Sequence, residues 1–381
     1  MSFKGSRKKK SKPPKKGFIE NVFRTKFTKN ALVSLVTLPY TSQEEFFYHT
    51  ILKETQTLCE ITSEFNYNVD LVDYNIDLPW DGKKYELVLG FGKSIEDYLV
   101  HNQKKDFTLI LYRNGTDSSF SDNVSMKRLS QFNTLHGIIP FDSAPVHPQS
   151  YRAQVWFADT IIALGNDFVR QTYLEHTSAR VESLDLFYFP VNIKKLAVKN
   201  YSLSQNKFLW FGSRGAVRKG LDLALDVFRR RPDLELYVCG LNEAENIFIN
   251  LYKDSFLEPN IHNLGFVKME SEEFKELMTE VSAFIFPTIW EGGGGAALNL
   301  VANAGLIPII TRNLGLDFDN EEYLIYDFTS DDLENSINKY LQLSSDALKA
   351  KTEKLKNYIS GRHTYEAYRS RMKEIIQSNL I

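Results

Sequence analysis

The chain has 381 residues, room for two domains, and its apolar share of 43% is that of a globular protein able to bury a large core. Its two cysteines, Cys59 and Cys239, form neither a disulfide framework nor a metal-type cluster, which suits a reducing compartment. The net charge is only −2, yet residues 1–30 carry eleven basic side chains against Glu20 alone, a net of +10.

That asymmetry makes residues 1–30 a disordered basic tail, because a run such as 7–16 repels itself and has nothing apolar to bury. Residues 1–16 suit an anionic membrane surface, at about 1 kcal/mol per basic residue close to lipid. The plainer reading is a solubilising tail. No nucleic-acid partner is expected, since the rest of the chain is acidic and lacks a basic–aromatic pattern. No apolar run approaches the ~18 residues of a membrane span, and residues 31–38 are too short and too late for a secretory signal. The expected location is therefore cytoplasmic, peripheral on the inner face of the membrane.

Beyond the tail, strand and helix patterns alternate. Strands are expected at 31–38, 68–74, 85–91, 108–112 and 160–163, with helices at 42–64 and 167–175. Residues 113–117 follow the fourth strand, and His136 and His147 fall in a stretch that reads as irregular. A second run begins near 205, with strands at 207–211, 234–239, 283–286 and 307–310 and helices at 221–230 and 272–281. Helices at 331–342, 347–359 and 365–378 close the chain. This alternation predicts an α/β protein of two Rossmann-like, doubly wound domains facing a cleft, with ligands at the carboxyl ends of the strands. The expected domains are 31–198, joined by the last helix, 365–381, and 199–364.

Two segments carry chemistry. In the first, strand 283–286 runs into Glu291 and four glycines, Gly292 to Gly295, and then into an apolar helix. Such a loop lets backbone N–H groups approach an anion, and the helix adds the positive end of its dipole. In the second, strand 207–211 runs into a loop holding Arg214, Arg218 and Lys219 before the helix at 221. A lysine meets phosphate as a point charge and an arginine as a fork. Taken alone, this loop is equally a solvated basic turn. Asp317 and Asp319 spell D-x-D, but in a polar loop where chance is the better explanation, so no metal is expected.

Gly212, the run Lys219 to Asp222, residues 260–267, Pro287 with Glu291, and residues 303–309 together resemble the carboxyl half of the group 1 retaining glycosyltransferases, which have the GT-B fold. The likeness covers residues 205–315 well and the amino half loosely. It implies a nucleotide sugar as donor substrate, no cofactor, and a glycan or lipid-linked acceptor in cell-surface polysaccharide assembly. It also implies that Lys219 contacts the donor diphosphate and that Glu291 faces the transferring sugar. Arg214 or Arg218, with Gly292, Gly293 and Gly294, would complete the diphosphate site.

Two departures stand out. Asn299 occupies the position of a ribose-binding glutamate, and Ser213 that of a phosphate-binding arginine. A neutral acceptor is worth about 1 kcal/mol against about 1.5–3 kcal/mol for a charged one, so ribose binding is expected to be weaker or displaced. A catalytically degenerate scaffold of the same fold is the alternative. In the amino half, His49, Thr50 and Glu54 share a helical face, and His49, His136 and His147 are the histidines that could approach the sugar.

Overall fold

The computed structural model describes residues 17–42, 49–79, 82–144, 152–318, 324–325 and 327–380. Residues 1–16, His147 and Asp319 lie outside them, whereas residues 17–30, expected to belong to the disordered tail, are described and contain the strand Phe18–Ile19 and the start of the strand Lys29–Leu35. By internal contacts the chain divides into two compact units, one holding the described residues of 1–45 and 51–109, the other those of 46–50 and 110–381.

The first unit contains β1 (Phe18–Ile19), β2 (Lys29–Leu35), α1 (Leu38–Thr41), most of α2 (Thr50–Glu64), β3 (Tyr67–Asp73), β4 (Leu87–Gly90) and α3 (Lys93–His101). Its strand order is β1-β3-β2-β4, with β1 antiparallel to β3 and the other pairings parallel. The centre of β2, from Ala31 to Leu35, is fully buried. Continuous burial is what a parallel strand covered on both faces requires. Glu54 also lies inside, on α2.

β5 (Thr108–Arg113) opens the second unit. It is followed by α4 (Ser118–His136), α5 (Arg152–Phe157), β6 (Thr160–Leu164), α6 (Asp167–Leu174), β7 (Arg180–Leu184) and the short α7 (Tyr201–Ser204). β5, β6 and β7 pair in parallel, in that order. Next come β8 (Lys207–Phe211), α8 (Leu221–Arg230), β9 (Glu235–Cys239), α9 (Asn246–Tyr252), β10 (Ile261–Gly265), α10 (Glu272–Glu280), β11 (Ala283–Phe286), α11 (Gly295–Ala304), β12 (Ile307–Thr311) and β13 (Leu324–Ile325). These strands form one parallel sheet ordered β10-β9-β8-β11-β12-β13, so β8 and β11, which deliver the two glycine-containing loops, are neighbours. α12 (Ser330–Leu341), α13 (Ser345–Arg362) and α14 (Tyr365–Gln377) end the chain. The side chains of Thr329, Ser344 and Thr364 cap them.

The stretch expected to be irregular around His136 is in fact a 19-residue helix, α4. Its buried stripe is Ser118, Ser121, Ser125, Arg128, Leu129 and Phe132, which has helical spacing. Half of that stripe is serine, so a hydrophobic-period reading could not see it. Asp117 caps the start of α4 by accepting from the Ser119 N–H. α14 returns to the strands β5–β7. Tyr368 and Tyr112 share a hydroxyl hydrogen bond of 2.8 Å, and Arg371 pairs with Glu182.

Candidate functional site

The loop after β8 is held by a buried carboxylate. Glu245 is fully buried and accepts the N–H groups of Gly215 and Ala216, each at 2.8 Å. This clamp turns the chain so that Arg218 and Lys219 face inward just before α8. Lys219 donates to Ser213 Oγ at 2.6 Å, and its Nζ lies 3.9 Å from Glu291 Oε1. Burial lowers its pKa to about 8, with the nearby Arg218 charge adding to the drop and Glu291 and Glu245 opposing it.

Arg218 ties this loop to the one after β11. Its Nη1 donates to the Trp290 carbonyl at 2.8 Å and to Glu291 Oε1 at 2.9 Å. Its guanidinium lies 4.3 Å from the centre of the Trp290 ring. The Trp290 indole in turn donates to Ser125 on α4, and Asn313 holds the loop backbone on both sides, accepting from the Glu291 N–H and donating to the Ile289 carbonyl. Glu291 is thus a partly exposed carboxylate fixed beside two buried cations.

The glycines behind Glu291 are there for close approach. A Cβ at Gly292 would stand 2.2 Å from the Asn114 carbonyl oxygen, so the loop lies directly on the turn that follows β5. Gly293 and Gly294 are buried, and Gly294 caps α11 at a φ of +50°. The first N–H groups of α11 have no partner within the helix. Together these features make a cradle for an anion next to two cations and one carboxylate.

Arg214 stands exposed, outside the buried cluster that Arg218 joins. Asn299 is buried on α11, accepting the Phe189 N–H at 2.8 Å and donating to the Gly295 carbonyl at 2.8 Å. Asn303, one turn on, accepts the Val191 N–H and donates to the Phe189 carbonyl. The two amides therefore hold the extended segment 189–191 against α11. Of the histidines, His49 is linked to the cluster: burial first, then the Lys219 charge, lowers its pKa, although the residue keeps solvent contact. His136 stacks at 4.4 Å on Phe132 and meets Tyr252. Asp317 accepts from Asn166 at 2.6 Å.

Residues 193–360, which include both loops, match the family described as Glycosyl transferases group 1. That segment is similar to the group 1 glycosyltransferases. Among solved structures, sucrose-phosphate synthase from Thermosynechococcus elongatus aligns with a TM-score of 0.64 at 12% identity, covering 92% of this chain and 99% of that one. HepE of Anabaena, in complex with UDP and glucose, aligns at 0.59 and 13% identity, covering 92% and 100%. WaaG, a glycosyltransferase of lipopolysaccharide biosynthesis, aligns at 0.56 and 14% identity, covering 91% and 99%. These likenesses give the fold, which is GT-B. No curated protein sequence matches the chain.

Glu245, Trp290 and Asn313 were not legible as residues that shape the two loops. A lone glutamate and a lone asparagine have no spacing signal. Trp290, directly before Glu291, could have been flagged as an aromatic able to stack on an arginine.

Proposed function

We propose that the chain transfers a sugar, with retention of configuration, from a nucleotide sugar to a glycan or lipid-linked acceptor. The observation that carries this reading is the buried cluster of Arg218, Lys219 and Glu291 at the mouth of the glycine loop. In the reaction the bond from the anomeric carbon to the diphosphate oxygen breaks, and its electron pair leaves with the diphosphate. The acceptor hydroxyl forms the new bond and loses its proton. Negative charge grows on the leaving diphosphate, where Lys219, Arg218 and the N–H groups of residues 292–295 are placed to take it. The reading needs no resident metal or cofactor. Glu291 faces the sugar, and Arg214 is the exposed cation that a diphosphate would meet first. Retention rests on the family resemblance. A uridine nucleotide is the first donor to try, because HepE is described with UDP and glucose. A role in cell-surface polysaccharide assembly, with the tail on an anionic membrane surface, is supported by the WaaG likeness and the charge of residues 1–16.

The test is donor turnover by Lys219→Ala and Glu291→Ala beside the wild type. Loss of two orders of magnitude or more in each is expected, about 2.7–4 kcal/mol for a charge-stabilising donor; unchanged turnover in both would sink the assignment. A second reading, a non-catalytic scaffold, is favoured by Asn299, whose amide is committed to the chain itself. Calorimetry against a panel of nucleotide sugars separates the two, since a scaffold of this kind binds none of them. Co-sedimentation with anionic liposomes tests the tail, and equal binding without residues 1–16 would remove its membrane role.

A further inference from the structure

The two loops set carboxylates against their cations. Arg218 and Lys219 are buried, and the charges that act on Lys219 are those of Glu291, Arg218 and Glu245. His49 adds none, because burial and the Lys219 charge keep its ring neutral. Arg214 stands outside, exposed. Two cations and two carboxylates cancel, and a diphosphate entering here brings further negative charge. One carboxylate must therefore give up its hold on the cations.

The two carboxylates are held differently. Glu245 is fully buried and both of its oxygens are taken, by the N–H groups of Gly215 and Ala216. The Glu291 side chain is 21% exposed and meets both cations through one oxygen, Oε1, 2.9 Å from Arg218 Nη1 and 3.9 Å from Lys219 Nζ. Asn313 fixes the backbone on both sides of it, so rotation of the Glu291 side chain alone frees both cations. Neither cation loses its place in the exchange. Lys219 keeps its bond to Ser213 Oγ, and Arg218 keeps the Trp290 carbonyl and ring.

We propose that Glu291 competes with the donor's diphosphate for Arg218 and Lys219, and that this competition makes the site hold an intact nucleotide sugar in preference to the spent nucleoside diphosphate. The proposal rests on the donor reading above. A carboxylate turned away from the cations accepts hydrogen bonds from the hydroxyls of a sugar lying against it. Transfer leaves the electron pair of the broken bond on the terminal phosphate, which then carries charge where the sugar had been. Glu291 now faces a like charge and regains its cations as the product leaves. Discrimination of this kind comes from a repulsive element as much as an attractive one.

Calorimetry on the full chain tests it with two probes that lack a sugar, UDP and inorganic pyrophosphate, at about pH 6.5, below the Lys219 pKa of about 8. Glu291→Gln and Glu291→Ala should each bind pyrophosphate about tenfold more tightly than the wild type, or about 1.4 kcal/mol, although both lose donor turnover. A residue that only shaped the loop would weaken binding when replaced. Lys219→Ala should weaken it. Tightening in neither Glu291 variant, with the wild type binding, overturns the inference and leaves the donor reading standing. No binding of either probe by the wild type or the Glu291 variants overturns the donor reading, and the inference with it.

Discussion

At the scale of single residues, the proposed reaction depends on the charge of Lys219. Burial favours the neutral amine, so its pKa falls from the ordinary 10.5 to about 8 in the folded chain while the unfolded chain keeps the ordinary value. Between those two values the unfolded state binds more protons, so this residue's contribution to stability rises with pH across that window. Function goes the other way. Above about pH 8 Lys219 loses the charge that meets the diphosphate in the proposed reaction, and kcat/KM for the donor should fall there. Lys219→Arg keeps its charge and should move that fall to higher pH; an unshifted profile would assign the limb to another group. Lys219 and Glu291 were legible from spacing and resemblance, because each sits beside glycines in a strand-loop-helix pattern. Glu245 was not: its two backbone bonds reach 30 and 29 residues back, and nothing near it in the sequence announces them.

At the scale of elements, the glycine loop and α11 do two separate jobs. The loop lies on the turn after β5, and Gly292→Ala would drive a Cβ against the Asn114 carbonyl. The loop must shift to relieve this, and a displacement near 1 Å is expected to cost turnover about 100-fold with the fold intact. Normal turnover in a folded Gly292→Ala variant would show that the close approach is incidental. α11 fastens the segment 189–191 through Asn299 and Asn303. Replacing either with Leu leaves a backbone N–H without its acceptor and should cost about 1–3 kcal/mol in urea denaturation. The double variant should cost less than the sum, because both amides serve Phe189. The sequence flagged Asn299 as a departure at a ribose position. What its amide holds in this structure depends on a partner 110 residues away, which no local pattern reveals.

At the scale of the whole molecule, the larger unit is bound together by polar contacts across its two groups of strands. Arg128 on α4 pairs with Asp222 on α8, both side chains about 97% buried, across 94 residues of sequence. Removing one partner strands a buried charge, so Arg128→Ala should lower stability by about 3–5 kcal/mol. The double variant Arg128→Met with Asp222→Leu removes both charges and should recover much of that loss in thermal denaturation. Equal losses in the single and double variants would mean that packing matters here rather than charge. Among the described residues no helix is long and apolar enough to cross a membrane.

The sequence by itself determined the parallel α/β class, because strands such as β11 and β12 are continuous apolar runs and each is followed by a helix or glycine signal. It also marked out the two loops that the structure brings together, and the family they resemble, since motif order along a chain survives without knowledge of contacts. It could not read α4, whose buried face is half serine. Only the tertiary structure decided that Arg218 rather than Arg214 joins Glu291, a bond across 73 residues, and that Asn299 holds backbone. The reason is physical. Local periodicity reports which face of an element is buried, whereas a polar side chain's role is set by the partner that the fold brings to it.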